Sequence, residues 1–198
     1  MKTSLAVSCL LAIQLTTSCS SAPAVESHAD PAAIRAWLHD FGSTYAYDTG
    51  YMERLLDLSP TAYEAFAAAM AMAEQRTHLS ATEHFVACIS ALLADDCGAC
   101  TQLNLRMAVA AGVDRDLLRQ LLEKPDGLPA ELRAIRDYAT QVVHGGNAGG
   151  ELVRQLRTTL GDAAFAELAV NVLGCRIYPG LRRAMGAEVA CPPPTLDF

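Results

Sequence analysis

The sequence has few aromatic residues, no block of basic residues and no strand-like pattern. Aromatic residues make up 6% of the 198 positions. No segment alternates β-branched with polar residues as a half-buried strand does, which argues against a β protein. Lys and Arg total 15 against 22 Asp and Glu, giving a formal net charge of −7. Because no basic block could neutralise phosphates, nucleic acid is not expected as a partner.

The sequence also lacks the ligand pattern of a structural zinc site. Such a site needs about four ligands, usually supplied as two pairs. One C-x-x-C is present, at Cys97 and Cys100, without a second pair or an H-x-x-x-H. We therefore expect no metal ion and no other cofactor.

What the sequence does contain favours helices. Ala and Leu dominate, and both residues are good helix formers. The chain carries several start and stop signals: an S-x-x-E capping box at Ser80 and Glu83, a cap at Asp114, and stops at Gly112 and Pro125. We predict an all-α fold, a helical bundle of about seven or eight helices, within a length that suits one domain.

The longest apolar run lies near the N-terminus, from Leu5 to Leu15, behind Lys2. It is too short to cross a bilayer and has the length of a secretory signal core. The "TTSC" that ends at Cys19 resembles a bacterial lipobox, and "APA" at 22–24 suits an ordinary signal peptidase. We predict export, either to the periplasm or to a membrane as a lipoprotein anchored at Cys19. The alternative is a cytoplasmic protein with a frayed first helix.

These predictions divide the chain into three parts and leave an odd number of cysteines. The parts are a leader over 1–24, a single helical domain over 30–191 and a Pro-rich tail over 192–198. Removing Cys9 with the leader and assigning Cys19 to lipid leaves five: Cys88, Cys97, Cys100, Cys175 and Cys191. An odd number excludes a complete set of intramolecular disulfides. A Cys175–Cys191 pair is one candidate in an exported protein.

The stretch "DDCGACTQLN" is the strongest chemical signal in the chain. Cys97 and Cys100 are three positions apart and would share one helix face near the helix start, where Asp95 or Asp96 can cap. The positive end of a helix stabilises a thiolate, which favours a redox pair, whereas the two carboxylates oppose it. Two inert core cysteines are the alternative.

The longer segment "DDCGACTQLNLRMAVAAGVD" resembles the core of the carboxymuconolactone decarboxylase / alkylhydroperoxidase D superfamily. The similarity runs from "YAYDTGYMERLL" through "RIYPGLRRAMG" to Cys191. The resemblance implies an all-helical fold and assembly as a homo-oligomer, a trimer or hexamer. Dithiol-bearing members are thiol-dependent peroxidases or disulfide reductants. It therefore implies catalysis by Cys97 and Cys100, a small hydroperoxide or disulfide as substrate, and a dithiol protein as reductant.

The chain departs from that family at two positions of the proton relay. Asn104 stands where the redox members have a His, and Phe85 stands where they have a Glu. A relay needs groups that titrate near neutrality, which neither residue provides. The candidate substitutes are His84, Glu83 and Asp96, and the Asn104 amide is a candidate hydrogen bond to a thiolate.

Three functions are compatible with the sequence. The first is the reduction of hydroperoxides or disulfides by a Cys97/Cys100 cycle, with the attacking cysteine unassigned. The second is a non-catalytic helical oligomer with a structural or silent dithiol. The third is a decarboxylase-like lyase. Tyr45, Tyr47 and Asp48 could line the mouth of a pocket or pack onto the bundle, with packing the commoner role of such aromatic residues. Arg176 and Tyr178 could orient a substrate or fix the bend of the last helix.

Overall fold

A computed structural model describes residues 30–146, 148–187 and 192–198. Regular structure in these ranges is entirely helical, with ten α-helices and a 3-10 turn at Pro125–Gly127. The helices are α1 (Pro31–Tyr45), α2 (Gly50–Leu58), α3 (Pro60–Glu74), α4 (Ala81–Ala94), α5 (Gly98–Ala110), α6 (Arg115–Glu123), α7 (Ala130–Val143), α8 (Gly150–Leu160), α9 (Asp162–Cys175) and α10 (Ile177–Ala184). The predicted all-α bundle is confirmed, with three short helices, α2, α6 and α10, beside seven longer ones.

Several predictions fall on residues outside these ranges. They are the leader over 1–24, the lipid attachment at Cys19 and the pairing of Cys191. Within the part of the chain that the structure describes, no helix combines the length and the apolar character needed to cross a membrane.

The predicted helix starts depend on side-chain caps, and the structure contains them. Glu83 N donates to Ser80 Oγ at 3.2 Å, and Ser80 N donates to Glu83 Oε2 at 2.7 Å, which completes the capping box. Asp30 and Asp114 accept from the first turns of α1 and α6. Gly112 follows α5 at φ +84°, the left-handed conformation that glycine adopts most readily.

Two hydrophobic clusters meet at α5. The larger cluster is built from α4 to α9, and α4 is its centre, with every residue from 84 to 92 buried. The smaller cluster joins α1, α2 and α3 and includes Leu103 of α5. Met107, one turn further along α5, packs against both clusters. The disulfide of Cys97 and Cys100 therefore lies at the seam between the two clusters.

Helices α3 and α9 approach closely near their C-terminal ends. A Cβ atom built on Gly174 would lie 2.4 Å from Ala73 N and 2.5 Å from Met72 C, well inside contact distance. Asn171, one turn earlier on α9, donates from Nδ2 to Met72 O at 3.2 Å and to Gln75 O at 2.7 Å. This contact fixes the end of α9, and so Cys175, against α3.

The last residues of the chain lie along α5 without forming a helix. Thr195 N donates to Gln102 Oε1 at 2.7 Å, and Gln102 Nε2 donates to Asp197 O at 3.0 Å. Phe198 packs against the larger cluster. Residues 192–198 are therefore held beside the start of α5.

Glu167 anchors the loop that leads into α4. Its carboxylate accepts backbone N–H groups from Thr77 at 2.8 Å, His78 at 3.0 Å and Leu79 at 3.2 Å. Burial alone would raise the pKa of Glu167, but these donors outweigh it and hold the pKa below its usual value. The carboxylate is therefore the form that the folded chain stabilises.

Because the pKa of Glu167 is lower in the folded chain, its contribution to stability is present above the unfolded pKa and lost as pH falls through the folded pKa. We expect Glu167→Gln to lower the free energy of unfolding by about 1–3 kcal/mol near neutral pH, since the amide cannot accept all three bonds. Urea unfolding near neutrality and at acid pH measures this. The loss should shrink in acid, and an equal loss at both pH values contradicts the argument. Glu151→Gln, at an exposed ion pair with Arg154, is the control and should change little.

Candidate redox site

Cys97 and Cys100 are joined as a disulfide at the start of α5. Cys97 is the N-cap residue and Cys100 lies in the first turn, with their Cα atoms 5.3 Å apart. Each residue is 2% exposed. The Cys97 backbone is held on both sides, because its N–H donates to Leu92 O at 3.0 Å and its carbonyl accepts from Thr101 Oγ1 at 2.9 Å. The predicted placement at a helix start is confirmed.

The predicted capping of this helix by Asp95 or Asp96 is wrong. Asp95 instead ends α4, and its carboxylate pairs with Arg183 at 3.3 Å and Arg176 at 3.8 Å. Asp96 is exposed at φ +52°, and Cys97 occupies the N-cap position without a side-chain cap bond. Asp95 and Asp96 form the short link between α4 and α5, and the N-cap residue of α5 comes only after them. Asp96 is also not among the residues that line the cavity facing Cys100.

A cavity of about 80 Å³ lies at the seam between the two clusters. Trp37, which is 45% exposed, and the exposed Glu74 line it, so it reaches the surface there. Its apolar lining includes Phe41, Met52, Met70, Leu92, Leu103 and Met107. Cys100 lines the cavity and Cys97 does not. One sulfur of the disulfide thus faces a small, mostly apolar space.

Tyr47 brings a hydroxyl to the disulfide. Its Oη lies 3.9 Å from Cys100 Sγ and 3.2 Å from Tyr51 Oη. Since a disulfide sulfur carries no hydrogen, the Tyr47 hydroxyl is the donor of this weak bond. Burial, reinforced by the neighbouring Tyr47, raises the pKa of Tyr51, and the Arg182 guanidinium lies over both rings at 5.7 and 5.3 Å from their centroids. Tyr47 also lines the cavity, which is one of the two positions predicted for it, but nothing local in the sequence connects it with Cys100.

His84 is the titratable base of the cavity, and its tautomer follows from its neighbours. Asn171 donates from Nδ2 to two backbone carbonyls, so its Oδ1 faces His84 Nδ1 at 2.8 Å. Nδ1 must therefore carry the hydrogen, which leaves the lone pair on Nε2. Burial lowers the pKa of His84 and outweighs the opposing bond from Asn171, so the ring is neutral near pH 7. Nε2 lies 3.9 Å from Cys88 Sγ.

The other candidates for the relay do not meet the disulfide. Glu83 is engaged in its capping box at the start of α4. Asn104 lines the cavity and its Nδ2 donates to the Cys100 carbonyl at 3.0 Å. Its hydrogen bond to a thiolate concerns the reduced protein and stays a prediction. Phe85 is buried and stands edge-on to the His84 ring, 4.9 Å between centroids. Of the three predicted relay residues, only His84 shares the cavity with Cys100.

Two further thiols line the same cavity, and sequence analysis did not bring them together. Cys88 of α4 and Cys175 of α9 are 1% and 3% exposed. The neighbouring Cys175 thiol, together with burial, raises the pKa of the Cys88 thiol well above its usual value. Cys175 Sγ also donates to Val172 O at 3.4 Å. No local signal links the two positions, because they lie far apart in the sequence on packed helices.

The described residues contain no group of three or more His, Cys, Asp or Glu side chains that could hold a metal ion. Comparisons with protein families, curated proteins and solved structures gave no match. The resemblance to the alkylhydroperoxidase D superfamily therefore stays a prediction.

Proposed function

We propose that this chain is a thiol-dependent redox protein that reduces hydroperoxides or disulfides by cycling Cys97 and Cys100 between dithiol and disulfide. One observation carries the proposal. Cys100 of the bonded pair opens onto a mostly apolar cavity that reaches the surface and also holds the His84 ring and the Tyr47 hydroxyl. A small organic hydroperoxide suits this space in size and polarity.

Cys100 is the attacking sulfur in this proposal, because it lines the cavity and Cys97 does not. In the reduced protein the Cys100 thiolate, at the positive end of α5, attacks the terminal oxygen of the hydroperoxide. The alcohol leaves and Cys100 becomes a sulfenic acid. The Cys97 thiol then attacks that sulfur, water leaves and the disulfide closes. A disulfide substrate instead passes through a mixed disulfide with Cys100.

The cycle needs a dithiol reductant to reopen the disulfide. Gly98 and Ala99, the two residues between the cysteines, line a surface groove together with Gln102 and Arg106. We propose this groove as the side from which a dithiol protein approaches. Assembly into a homo-oligomer and export to the periplasm or to a membrane belong to the same proposal, and neither follows from the site.

The test is peroxide consumption in the presence of a small dithiol reductant. We expect the wild-type chain to turn over and both Cys97→Ser and Cys100→Ser to lose most of that turnover. Cys191→Ser, which removes a thiol outside the proposed pair, is the control. Equal turnover in the wild type and both variants contradicts the proposal.

The assignment of Cys100 as the attacking residue has its own readout. In Cys97→Ser treated with hydroperoxide, a reagent that traps sulfenic acids should label Cys100. In Cys100→Ser, Cys97 should stay unlabelled. Labelling of Cys97 alone would reverse the order of the two cysteines and leave the cycle itself intact.

One observation favours the second function, a non-catalytic oligomer with a structural disulfide. Both cysteines are 2% exposed, and two carboxylates precede them. A redox titration separates the two functions. Structural disulfides typically have potentials below about −300 mV, whereas working oxidoreductases lie between about −270 and −120 mV.

A further inference from the structure

Cys88 and Cys175 form a thiol pair that the Cys97/Cys100 cycle does not use. They come from the middle of α4 and the last residue of α9, two helices that pack in the larger cluster. One turn earlier on each of these helices, His84 Nδ1 and Asn171 Oδ1 lie 2.8 Å apart, so the two thiols are neighbours across the same helix pair. Both cysteines line the cavity that reaches the surface beside Trp37. A small molecule that reaches Cys100 therefore enters the same space as this pair.

The neighbours of the pair supply a base on one side. His84 and Cys88 stand one helical turn apart on α4, with Nε2 3.9 Å from Sγ. The Asn171 bond fixes the lone pair of His84 on that nitrogen. Nε2 is thus placed to take the proton of the Cys88 thiol.

The other side of the pair is arranged for a second step. The Cys175 thiol donates to Val172 O at 3.4 Å, a bond that does not use the lone pairs of its sulfur. Buried cysteines commonly act as small apolar residues that need no base and no partner thiol. Here, by contrast, the thiols of Cys88 and Cys175 and the oriented imidazole of His84 line the same cavity.

We propose that Cys88 and Cys175 are a second redox-active thiol pair, which a hydroperoxide in the cavity oxidises to a disulfide with His84 as the base. His84 Nε2 takes the Cys88 proton, and the thiolate attacks the terminal oxygen of the hydroperoxide. The O–O bond breaks, the alkoxide takes back the proton from His84 Nε2 and leaves as the alcohol, and Cys88 becomes a sulfenic acid. Cys175 then attacks the Cys88 sulfur, the S–O bond breaks and water leaves with the Cys175 proton. Two thiols lose two electrons, and the hydroperoxide gains them.

This second pair goes beyond the proposed function, because its chemistry does not pass through Cys97 or Cys100. The two sites share only the cavity. Either site can therefore fail its test without the other.

Peptide mapping tests the pair directly in the Cys97→Ser/Cys100→Ser double variant. Trypsin cuts this chain into peptides that place Cys88 in 77–106, Cys175 in 158–176 and Cys191 in 184–198. With both serines in place, Cys88 is the one thiol of its peptide. After treatment with an organic hydroperoxide we expect 77–106 to be cross-linked to 158–176, and the cross-link to be lost after reduction. If the double variant does not fold, the wild-type chain with its native disulfide gives the same cross-link.

The role of His84 is tested by the rate of that oxidation in His84→Gln. General-base assistance is worth about 10²–10⁴-fold, so we expect the variant to react at least about tenfold more slowly near neutral pH. The pH profile separates this role from a structural one. In the wild type the rate should be flat around neutrality, because His84 stays neutral there. In the variant the rate should rise about tenfold per pH unit, since only the free thiolate reacts.

Cys175→Ser provides the matched control. Without its partner, Cys88 should stop at the sulfenic acid and be labelled by a trapping reagent, and it should proceed to the sulfinic acid in excess hydroperoxide. Three results would overturn the proposal: no oxidation of either thiol, a cross-link from 158–176 to 184–198 instead, or parallel pH profiles in the wild type and His84→Gln. If Cys97→Ser loses turnover while the Cys88–Cys175 cross-link still forms, the two thiol pairs react independently of each other.

Discussion

Gly174→Ala is expected to lower the free energy of unfolding by about 3 kcal/mol, at the upper end of the usual cost of overpacking. The added methyl group would meet backbone atoms of α3 at 2.4 and 2.5 Å, and backbone cannot rotate away as a side chain can. Helices α3 and α9 must therefore move apart, which also disturbs the Asn171 bonds one turn away. Urea or thermal unfolding of the purified variant measures the loss.

Gly180→Ala is the matched control for this prediction. Gly180 lies in α10, is exposed, and a Cβ there meets nothing within 4 Å. Replacing an unhindered helical glycine by alanine stabilises by about 0.5–1 kcal/mol. The two substitutions should therefore shift stability in opposite directions. A shift of the same sign and size at both positions would mean that close packing at Gly174 is not the cause.

Asn171→Leu should also cost about 3 kcal/mol, although leucine has the same branched shape and leaves no cavity. The fully buried amide satisfies Met72 O, Gln75 O and His84 Nδ1. Each buried polar group left without a partner costs about 1–3 kcal/mol. Since no cavity forms, denaturant unfolding of this variant measures the hydrogen bonds rather than lost packing.

Asn104→Leu controls for the chemical change itself. The Asn104 amide makes one bond, to the Cys100 carbonyl, and the residue is partly exposed. We expect a loss of about 1 kcal/mol or less. Comparable losses of unfolding free energy in the two variants would contradict the claim that the buried hydrogen bonds of Asn171 cause the larger loss. A His84 ring released from Asn171 can also change tautomer, which NMR of the imidazole nitrogens would detect.

The sequence predicts best those features whose partners are close along the chain. The capping box of Ser80 and Glu83 and the stop at Gly112 depend on neighbours within a few positions, and the structure contains both. The start of α5 is local too, yet its cap was misassigned. The left-handed conformation of Asp96 moves the N-cap position to Cys97. Local sequence signals do not distinguish these two adjacent residues as the N-cap.

The candidate site was less predictable because its contacts join distant segments. Periodicity indicates that His84 and Cys88 share a face of α4, but not that Asn171 and Cys175 of α9 lie opposite them. Tyr47 reaches Cys100 only because α1 and α2 fold over α5. Such contacts depend on which helices pack together, and the spacing of residues within one helix does not predict that.

The disulfide at the seam presents two dissimilar faces. Cys100 faces a cavity of about 80 Å³, whereas Gly98 and Ala99 line an open groove together with residues Pro192 to Thr195. The size of a reagent therefore decides which face of the disulfide segment it can reach. A molecule of a few heavy atoms fits the cavity. A folded domain does not, and has to approach from the groove that the prolines line.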